Sequence, residues 1–312
     1  MGLSISTWQG GKLRLADKLN KALEVKHSIY IEPFVGAGGL FLNRDITGAR
    51  QIINDKDIGL YSLWKTLART DYKDFLINFC SLPVNPDYFS QAYMQMKSGY
   101  LGNDQMQKAL IIYYLIVYSF NGNMCSMKYK SRENKWKGMK RAAIQKLGDN
   151  INETHYRVEG ADIYNTDALK LIQQYKYDPE ALIYLDPPYL PELMGAKEQL
   201  YNIHFSTEQH VLMLALVRDA KARFCISGYR GGSLLYDRYL NMDLSWHTYM
   251  IGEVTRSAGM YWAEKGAERN KVREFIWTNY DLPETASYYF CTTDYSLTEQ
   301  EIMYHLEKQK SA

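Results

Sequence analysis

Cysteine is scarce in this chain of 312 residues, and the four copies, Cys80, Cys125, Cys225 and Cys291, have neither disulfide-framework nor metal-ligand spacing. The six histidines, His27, His155, His204, His210, His247 and His305, are equally dispersed. No apolar run is long enough to cross a bilayer; the longest, Ala109 to Val117, is short and contains Tyr113 and Tyr114. The opening residues, Met1-Gly2-Leu3-Ser4-Ile5-Ser6, lack a basic segment ahead of an apolar one, so secretion is not expected. Internal repeats and low-complexity segments are missing too. Charge of one sign is also lacking. The net charge of +2 gives the whole molecule no strong attraction for a polyanion. These absences together predict a soluble, reduced, metal-free cytoplasmic protein with no membrane partner.

What is present points to an α/β protein. Hydrophobic residues make up 46% of the chain, enough to fill one large core or two unequal ones. Ser28-Ile29-Tyr30-Ile31 has a short strand pattern, and Glu32-Pro33-Phe34-Val35 leads from it into Gly36-Ala37-Gly38-Gly39. Leu40-Phe41-Leu42 is expected to open a helix, completing the first unit of a doubly wound sheet. A Gly-x-Gly after a strand is by itself weakly specific, since dinucleotide enzymes and many turns share it. Gln51-Ile52-Ile53 reads as a second strand, ended by Asn54-Asp55-Lys56-Asp57. An acid at that place can take two ribose hydroxyls or cap the next helix.

The run Ala181-Leu182-Ile183-Tyr184-Leu185 reads as a buried strand. It must leave the sheet at Asp186, because Pro187 and Pro188 have no N–H to donate to a ladder. A carboxylate, a rigid turn with its carbonyls and the ring of Tyr189 therefore meet at the carboxyl end of a strand, where open α/β sheets bind ligands. Those three groups suit an exocyclic amine on a base: two acceptors for its hydrogens and a ring on which the base stacks. Beyond this run, Ser206 and Gln209 form a capping box for a helix from about Thr207, and Phe224-Cys225-Ile226-Ser227 is a further strand. Lys271 to Trp277 alternates charged with apolar residues, as an edge or hairpin strand does. Thr298 and Glu301 repeat the capping pattern in the tail.

From Ile58 to about Gly160 the pattern is helical, with Leu60, Leu63, Trp64 and Leu67 on one face and Ile111, Leu115 and Tyr118 on another. Three units are expected: a discontinuous catalytic domain of residues 1–57 and 161–285, an inserted helical domain of residues 58–160, and a tail of residues 286–312. The inserted block ends in the Asn121-Gly122 turn and a basic stripe: Lys128, Lys130, Arg132, Lys135, Lys137, Lys140, Arg141 and Lys146, against Glu133 alone. Tyr129 and Trp136 are interleaved with these cations. A local stripe on a near-neutral chain fits a phosphate-backbone footprint, or an ordinary solvated loop.

Taken in order, Trp8-Gln9-Gly10-Gly11-Lys12, Glu32 to Phe41, Asn54-Asp55, Asp167 and Asp186-Pro187-Pro188-Tyr189 resemble the Dam-like N6-adenine DNA methyltransferases of the alpha group. The likeness extends through Cys225-Ile226-Ser227-Gly228-Tyr229 and Arg273 to Tyr280, nearly the whole chain. The resemblance implies a Rossmann-like S-adenosylmethionine-dependent methyltransferase sheet with an inserted, mostly helical target-recognition domain. It implies S-adenosyl-L-methionine as cofactor, held by Trp8, Gly11, Lys12, Glu32, Pro33, Phe34, Gly36, Ala37, Gly38, Gly39, Asp55, Asp167 and Asp186. Within that set Lys12 would pair with the methionine carboxylate, Asp55 with the ribose hydroxyls and Asp167 with the adenine amine. Asp162 competes with Asp167, and the helical pattern after Asp167 favours the latter. Asp186, Pro187, Pro188 and Tyr189 would act on a flipped adenine in double-stranded DNA. A prokaryotic or phage-encoded protein is implied, and the resemblance leaves open whether a cognate restriction endonuclease, without direct contact, accompanies it.

For the DNA interface, Asn121, Asn123, Lys128, Lys130, Lys135, Lys137 and Lys140 are the candidates. Phe120-Asn121-Gly122 resembles a turn that GATC-specific relatives carry ahead of an arginine. Here Asn123, Met124, Cys125 and Ser126 follow, and no arginine comes before Arg132. Guanine is most often read by arginine or lysine, so the target sequence stays open, with Lys128 or Lys130 as substitutes. Two other activities fit parts of the pattern: adenine-N6 methylation of RNA, and DNA binding by a degenerate methyltransferase fold.

Overall fold

The computed structural model describes residues 2–6, 11–45, 48–124, 127–128, 133–191, 205–230, 234–240, 245–255 and 271–290. Seven strands form one sheet: β1 (Ile29–Glu32), β2 (Arg50–Asn54), β3 (Asp162–Tyr164), β4 (Ala181–Leu185), β5 (Arg223–Tyr229), β6 (His247–Thr255) and β7 (Lys271–Thr278). Their spatial order is β3-β2-β1-β4-β5-β7-β6. The first five run parallel, and β7 enters antiparallel between β5 and β6. Because β1 is followed outward by β2 and β3, and β4 by β5, the order reverses between β1 and β4. A crevice opens at such a reversal, at the carboxyl ends of the strands.

Strand β4 is the most hydrophobic because it is the most enclosed. All five of its residues are buried, as a continuous apolar run in a doubly covered parallel sheet should be. Period-two alternation divides the side chains between two cores. Ile31, Ile52, Ile183, Leu185, Phe224 and Ile226 pack with the helices Ala168–Tyr175 and Thr207–Arg218. Tyr30, Ile53, Leu182, Tyr184 and Ile276 face the other way, into the inserted helices.

That insertion comprises Ile58–Leu67, Lys73–Ser81, Pro86–Lys97, Gln105–Tyr118 and Glu133–Val158. Asp57, Asn85 and Asp104 cap the first, third and fourth of these, each accepting backbone N–H groups of the first turn. Gln105–Tyr118 is buried on nearly every side, which explains its apolar run. The block shares one continuous core with the sheet, so its separateness lies in sequence rather than in packing. Ile58–Leu67 also serves the sheet directly, since Trp64 Nε1 donates to the Gly36 carbonyl at 2.9 Å.

Several elements differ from expectation. The segment from Leu40 forms only a single 3-10 turn, Phe41–Asn43, in place of a helix. Asn43 ends it, because its side chain accepts the Leu3 N–H and donates to the Leu3 and Gly39 carbonyls. Strands β3 and β6 are additions to the expected set. The latter covers β7, which is therefore a hairpin strand but not an edge. From Glu133 the basic stripe lies on a helix, as the helical pattern expected up to about Gly160 implies, so the solvated-loop alternative does not hold there. The capping box of Ser206 and Gln209 is formed as expected. Trp8, Gln9, Gly10, Lys130, and the capping pair Thr298 and Glu301 lie outside the described residues.

Candidate active site

The crevice between β1 and β4 is walled on one side by the glycine turn. Gly36 and Gly38 have φ of 54° and 68°, a left-handed backbone that glycine adopts without a Cβ clash. A Cβ on Gly38 would stand 2.8 Å from the Trp64 ring, and one on Gly39 3.0 Å from the Leu13 nitrogen. The turn is thus wedged between Trp64 and the amino-terminal segment. Asn54, buried at the end of β2, ties the strand ends together. Its amide donates to the Pro33 and Thr166 carbonyls, and its oxygen accepts the Thr166 N–H.

Asp55 is half-buried and braces the same turn. Its Oδ2 accepts the Gly36 N–H at 3.0 Å and its Oδ1 the Asp57 N–H at 2.9 Å. Burial and the neighbouring Asp57 push its pKa up to about 7, against the pull of those two N–H groups. Each carboxylate oxygen keeps a second lone pair, so the bracing does not exhaust its acceptor capacity. Helix capping, the other role open to an acid in this segment, falls to Asp57. Asp167 caps the helix Ala168–Tyr175 and pairs with Lys56 at 2.9 Å. Burial works to raise Asp167, but Lys56 and the Leu169 N–H outweigh it and keep the group below the ordinary range. Glu32, buried at the end of β1, accepts the Tyr30 hydroxyl at 2.6 Å. Its pKa is pushed up to about 8 by burial, so it is largely neutral at pH 7.

On the β4 side, Asp186 Oδ1 accepts from Lys12 Nζ at 2.6 Å and from Ser227 Oγ at 3.2 Å. Ser227 shares a second hydrogen bond of 2.7 Å with Tyr184. Lys12 is itself buried, and its ammonium also lies 3.1 Å from Glu274 Oε1 on β7. Burial alone would lower the Lys12 pKa, yet Asp186 and Glu274 hold it well above the ordinary lysine range. Burial pushes Asp186 up, against the pull of Lys12 and Ser227. Tyr189 stacks on Tyr229 at 4.5 Å with an interplanar angle of 22°. Phe34 meets Phe205 edge-on at 5.3 Å, giving the cleft an apolar wall.

Gly11, Lys12, Glu32 to Ala37, Gly39, Asp55, Asp167 and Asp186 to Tyr189 all line this one cleft, so the structure gathers the described residues of both expected sets. Gly38 stands just behind, against Trp64. Lys12 is engaged with Asp186 and Glu274. Sequence reading missed Glu274, Ser227 and Asn54 as parts of the site. It also missed Met124, which reaches the cleft with φ of 55° while Ser119 Oγ accepts its N–H.

The candidate DNA residues are less uniform. Lys128 is half-buried and donates to the Val117 carbonyl, and Lys140 donates to the Leu82 carbonyl. Both help to hold the helical block together. Lys135 and Lys137 are exposed on Glu133–Val158, as is Arg141, one turn from Lys137. Asn123 ends the 3-10 turn Phe120–Gly122 and is half-buried; the side chain of Asn121 is not among those described. Among the described residues, no cluster of His, Cys, Asp or Glu could hold a metal ion. No helix there is long and apolar enough to cross a membrane.

Comparison with known proteins agrees with this geometry. The family model of D12 class N6 adenine-specific DNA methyltransferases matches residues 8–250. The DNA adenine methylase of Haemophilus influenzae is 29% identical over 189 residues, 59% of this chain and 63% of that one, slightly under two thirds of its length. The Type II methyltransferase M1.LlaDCHI of Lactococcus lactis is 24% identical over 287 residues, covering 88% of this chain and 94% of the relative. The DNA adenine methylase of Escherichia coli K12 is 27% identical over 220 residues, 68% and 74% of the two chains.

Proposed function

The chain belongs to the D12 class N6 adenine-specific DNA methyltransferases, and from that premise we propose that its cleft holds S-adenosylmethionine against the glycine turn and a flipped adenine against Asp186 and Tyr189. The observation that carries this reading is the meeting of Asp186-Pro187-Pro188-Tyr189 with the Gly36–Gly39 turn at the strand-order reversal.

The donor set fits the cofactor. Among the described residues, Asp55, Asp57, Asp167 and Asp186 line the cleft with Lys12 and Lys56, beside the largely neutral carboxyl of Glu32. An acidic lining suits a cationic cofactor and disfavours a pyrophosphate. The remaining lone pairs of Asp55 would accept the ribose hydroxyls, and Phe34 and Phe205 offer an apolar seat for the adenine ring. When bound, S-adenosylmethionine supplies a methyl group made electrophilic by a positive sulfur.

The chain's own part is to prepare the attacking nitrogen. The N6 lone pair of adenine is delocalised into the ring, which makes it a poor nucleophile. Asp186 and the Pro187 carbonyl would accept its two hydrogens and favour a pyramidal nitrogen with a localised pair. Acceptors fixed where positive charge develops supply most of the acceleration, together with positioning. The target lies inside the duplex and must be flipped out, at a cost of a few kcal/mol. Stacking on Tyr189, itself braced by Tyr229, would recover about 1–3 kcal/mol. A restriction endonuclease of the same target would be a partner in function only, since both act on the DNA. No observation favours RNA over DNA.

Transfer of tritiated methyl groups onto a DNA library, followed by sequencing of the modified sites, tests this reading and gives the target. Methyl incorporation at N6 of adenine is expected; a DNA library left unmethylated by folded protein overturns it.

Two further outcomes follow from the site. Asp55 must be ionised to accept both ribose hydroxyls, so S-adenosylmethionine affinity should rise about tenfold between pH 6 and pH 8 for a group near 7. Calorimetry should show that rise in the parent and a flat profile in Asp55→Asn. For DNA, neutralising Lys137 and Arg141 should weaken binding to all sequences and flatten its salt dependence by about 0.9 for each phosphate no longer neutralised. Binding titrations across salt concentrations measure the slope. An unchanged slope would assign this face of the helix to solvent alone.

A further inference from the structure

Glu274 is an acid in a place that sequence patterning reserves for apolar side chains. On β7 it shares a face with Ile276, which is fully buried in the core beneath the helical block. Glu274 is itself 2% exposed, and a buried carboxylate without a counter-charge is unfavourable. Its counter-charge is Lys12, 3.1 Å away, and the same ammonium stands 2.6 Å from Asp186. Two acids from different strands, β7 and the end of β4, therefore share one lysine from the amino-terminal segment.

The sheet is irregular opposite this residue. Glu274 pairs with Tyr229 on one side and Gly252 on the other, and the register shifts between Met250 and Gly252. Bulges of this kind re-aim side chains beside active sites. Gly252, with φ of 155°, approaches Lys18, whose ammonium donates to the Ile251 carbonyl at 2.8 Å. The bulge is thus fastened to the helix that follows Lys12. Among the described residues, Tyr184 and Tyr189 also lie beside the Lys12 ammonium, and Glu32 and Tyr236 beside Asp186.

Resting on the reading of Asp186 as the acceptor for the target amine, we propose that Glu274 is a positioning residue for methyl transfer, acting through Lys12. It holds the Lys12 ammonium on Oδ1 of Asp186, which fixes that carboxylate's rotamer. Oδ2, which has no hydrogen-bond partner among the described residues, is then left for an N–H of adenine. Without the Glu274 carboxylate the ammonium would lose its second charged anchor, keeping the Tyr189 hydroxyl at 3.5 Å, and could shift across both oxygens of Asp186 to compete with the substrate for them.

The test is single-turnover transfer of tritiated methyl to DNA. Glu274→Gln keeps the volume and removes the charge. Its rate should fall by about 10–100-fold, the scale of a small misplacement of a reacting group. Its S-adenosylmethionine affinity by calorimetry should stay within about twofold of the parent, since the residue acts through another. Both limbs of its pH–rate profile should move toward acid: Asp186 loses a like-charged neighbour, and Lys12 loses one of two counter-charges. In a Lys12→Met background the same substitution should change the rate by no more than about threefold, because the group it acts through is gone. Glu274→Asp, which keeps the charge and withdraws it by one methylene, should fall between the parent and Glu274→Gln and serves if the glutamine variant does not fold.

A rate near the parent's in Glu274→Gln, full activity in Glu274→Asp, or a loss that multiplies with that of Lys12→Met each overturns the proposal. A loss that follows cofactor affinity does so too. Asp186→Asn is assayed alongside. If it is active, the underlying reading fails. If it is inactive while Glu274→Gln is active, only the present inference fails.

Discussion

Asp186→Asn is expected to lose methyl transfer by about a thousandfold or more while binding S-adenosylmethionine with little change, the scale seen when one oriented group at a reacting centre is removed. The asparagine side chain fits the space, so packing is not the cause. What changes is the chemistry of the two atoms facing the cleft. Asp186 Oδ1 receives hydrogen bonds from Lys12 and Ser227. An amide oxygen could take that place, which would turn the amide NH2 toward the target. Its hydrogens would then meet those of adenine N6, donor against donor. In the other orientation, the NH2 would face Lys12, a buried clash of donors beside a cation. Neither rotamer supplies an acceptor to the target nitrogen at no cost elsewhere. Asp186→Ala removes the acceptor altogether and should be as inactive. It should also be less stable, since Lys12 and Ser227 lose a buried partner. Single-turnover methylation measures the first effect and calorimetry with the cofactor controls for the second. A rate within a few-fold of the parent in either variant would remove Asp186 from the mechanism.

The candidate cleft was legible in the sequence where strand ends impose their own chemistry. Asp186 could be placed because two prolines force the chain out of the sheet immediately after an apolar strand. Gly36 and Asp55 could be placed because the turn between β1 and β2 must bend sharply and lies next to the end of β2. What escaped were interactions made across long sequence separations. Nothing local to Lys12 announces that its ammonium ends on Asp186 and on Glu274, respectively 174 and 262 residues further along. The second of these depends on β7 being inserted antiparallel between β5 and β6, a pairing that no local pattern specifies.

A missed strand and a legible helix differ in what their sequences show. Strand β3 is three residues long with only Ile163 buried, too short to show alternation. The helix Glu133–Val158 was readable, since Trp136, Ala143, Ile144, Leu147, Ile151 and Val158 recur at helical spacing toward the core. The dense charge around them adds a DNA-binding reading to that helical spacing. The structure divides that charge, with Lys140 tied to the Leu82 carbonyl and Lys137 and Arg141 turned outward.

Lys12→Met is the substitution expected to cost most in both stability and rate. It leaves Asp186 and Glu274 buried near one another with no cation between them, and breaking a buried ion pair by removing one partner costs about 3–5 kcal/mol. The loss should depend on pH in a defined direction. Burial raises the pKa of both acids in the folded protein, and in both cases Lys12 opposes the rise. Without Lys12 both are raised further, so the folded variant retains protons that the unfolded chain has released. Its stability relative to the parent therefore falls as pH rises from the ordinary carboxylate range toward neutrality, and recovers in acid. Thermal unfolding of the two proteins across pH 4–8 measures the difference, which should be small at the acid end and largest at the neutral end. Adding Glu274→Leu to Lys12→Met removes one of the stranded carboxylates and should return part of the missing stability. It should return none of the rate, because Asp186 still lacks the ammonium that favours its charged form and holds its rotamer. A double variant that regained both would make Lys12 a packing residue with no part in the chemistry. A difference in stability that stayed constant across pH would mean that the two acids are not buried together as charges around it.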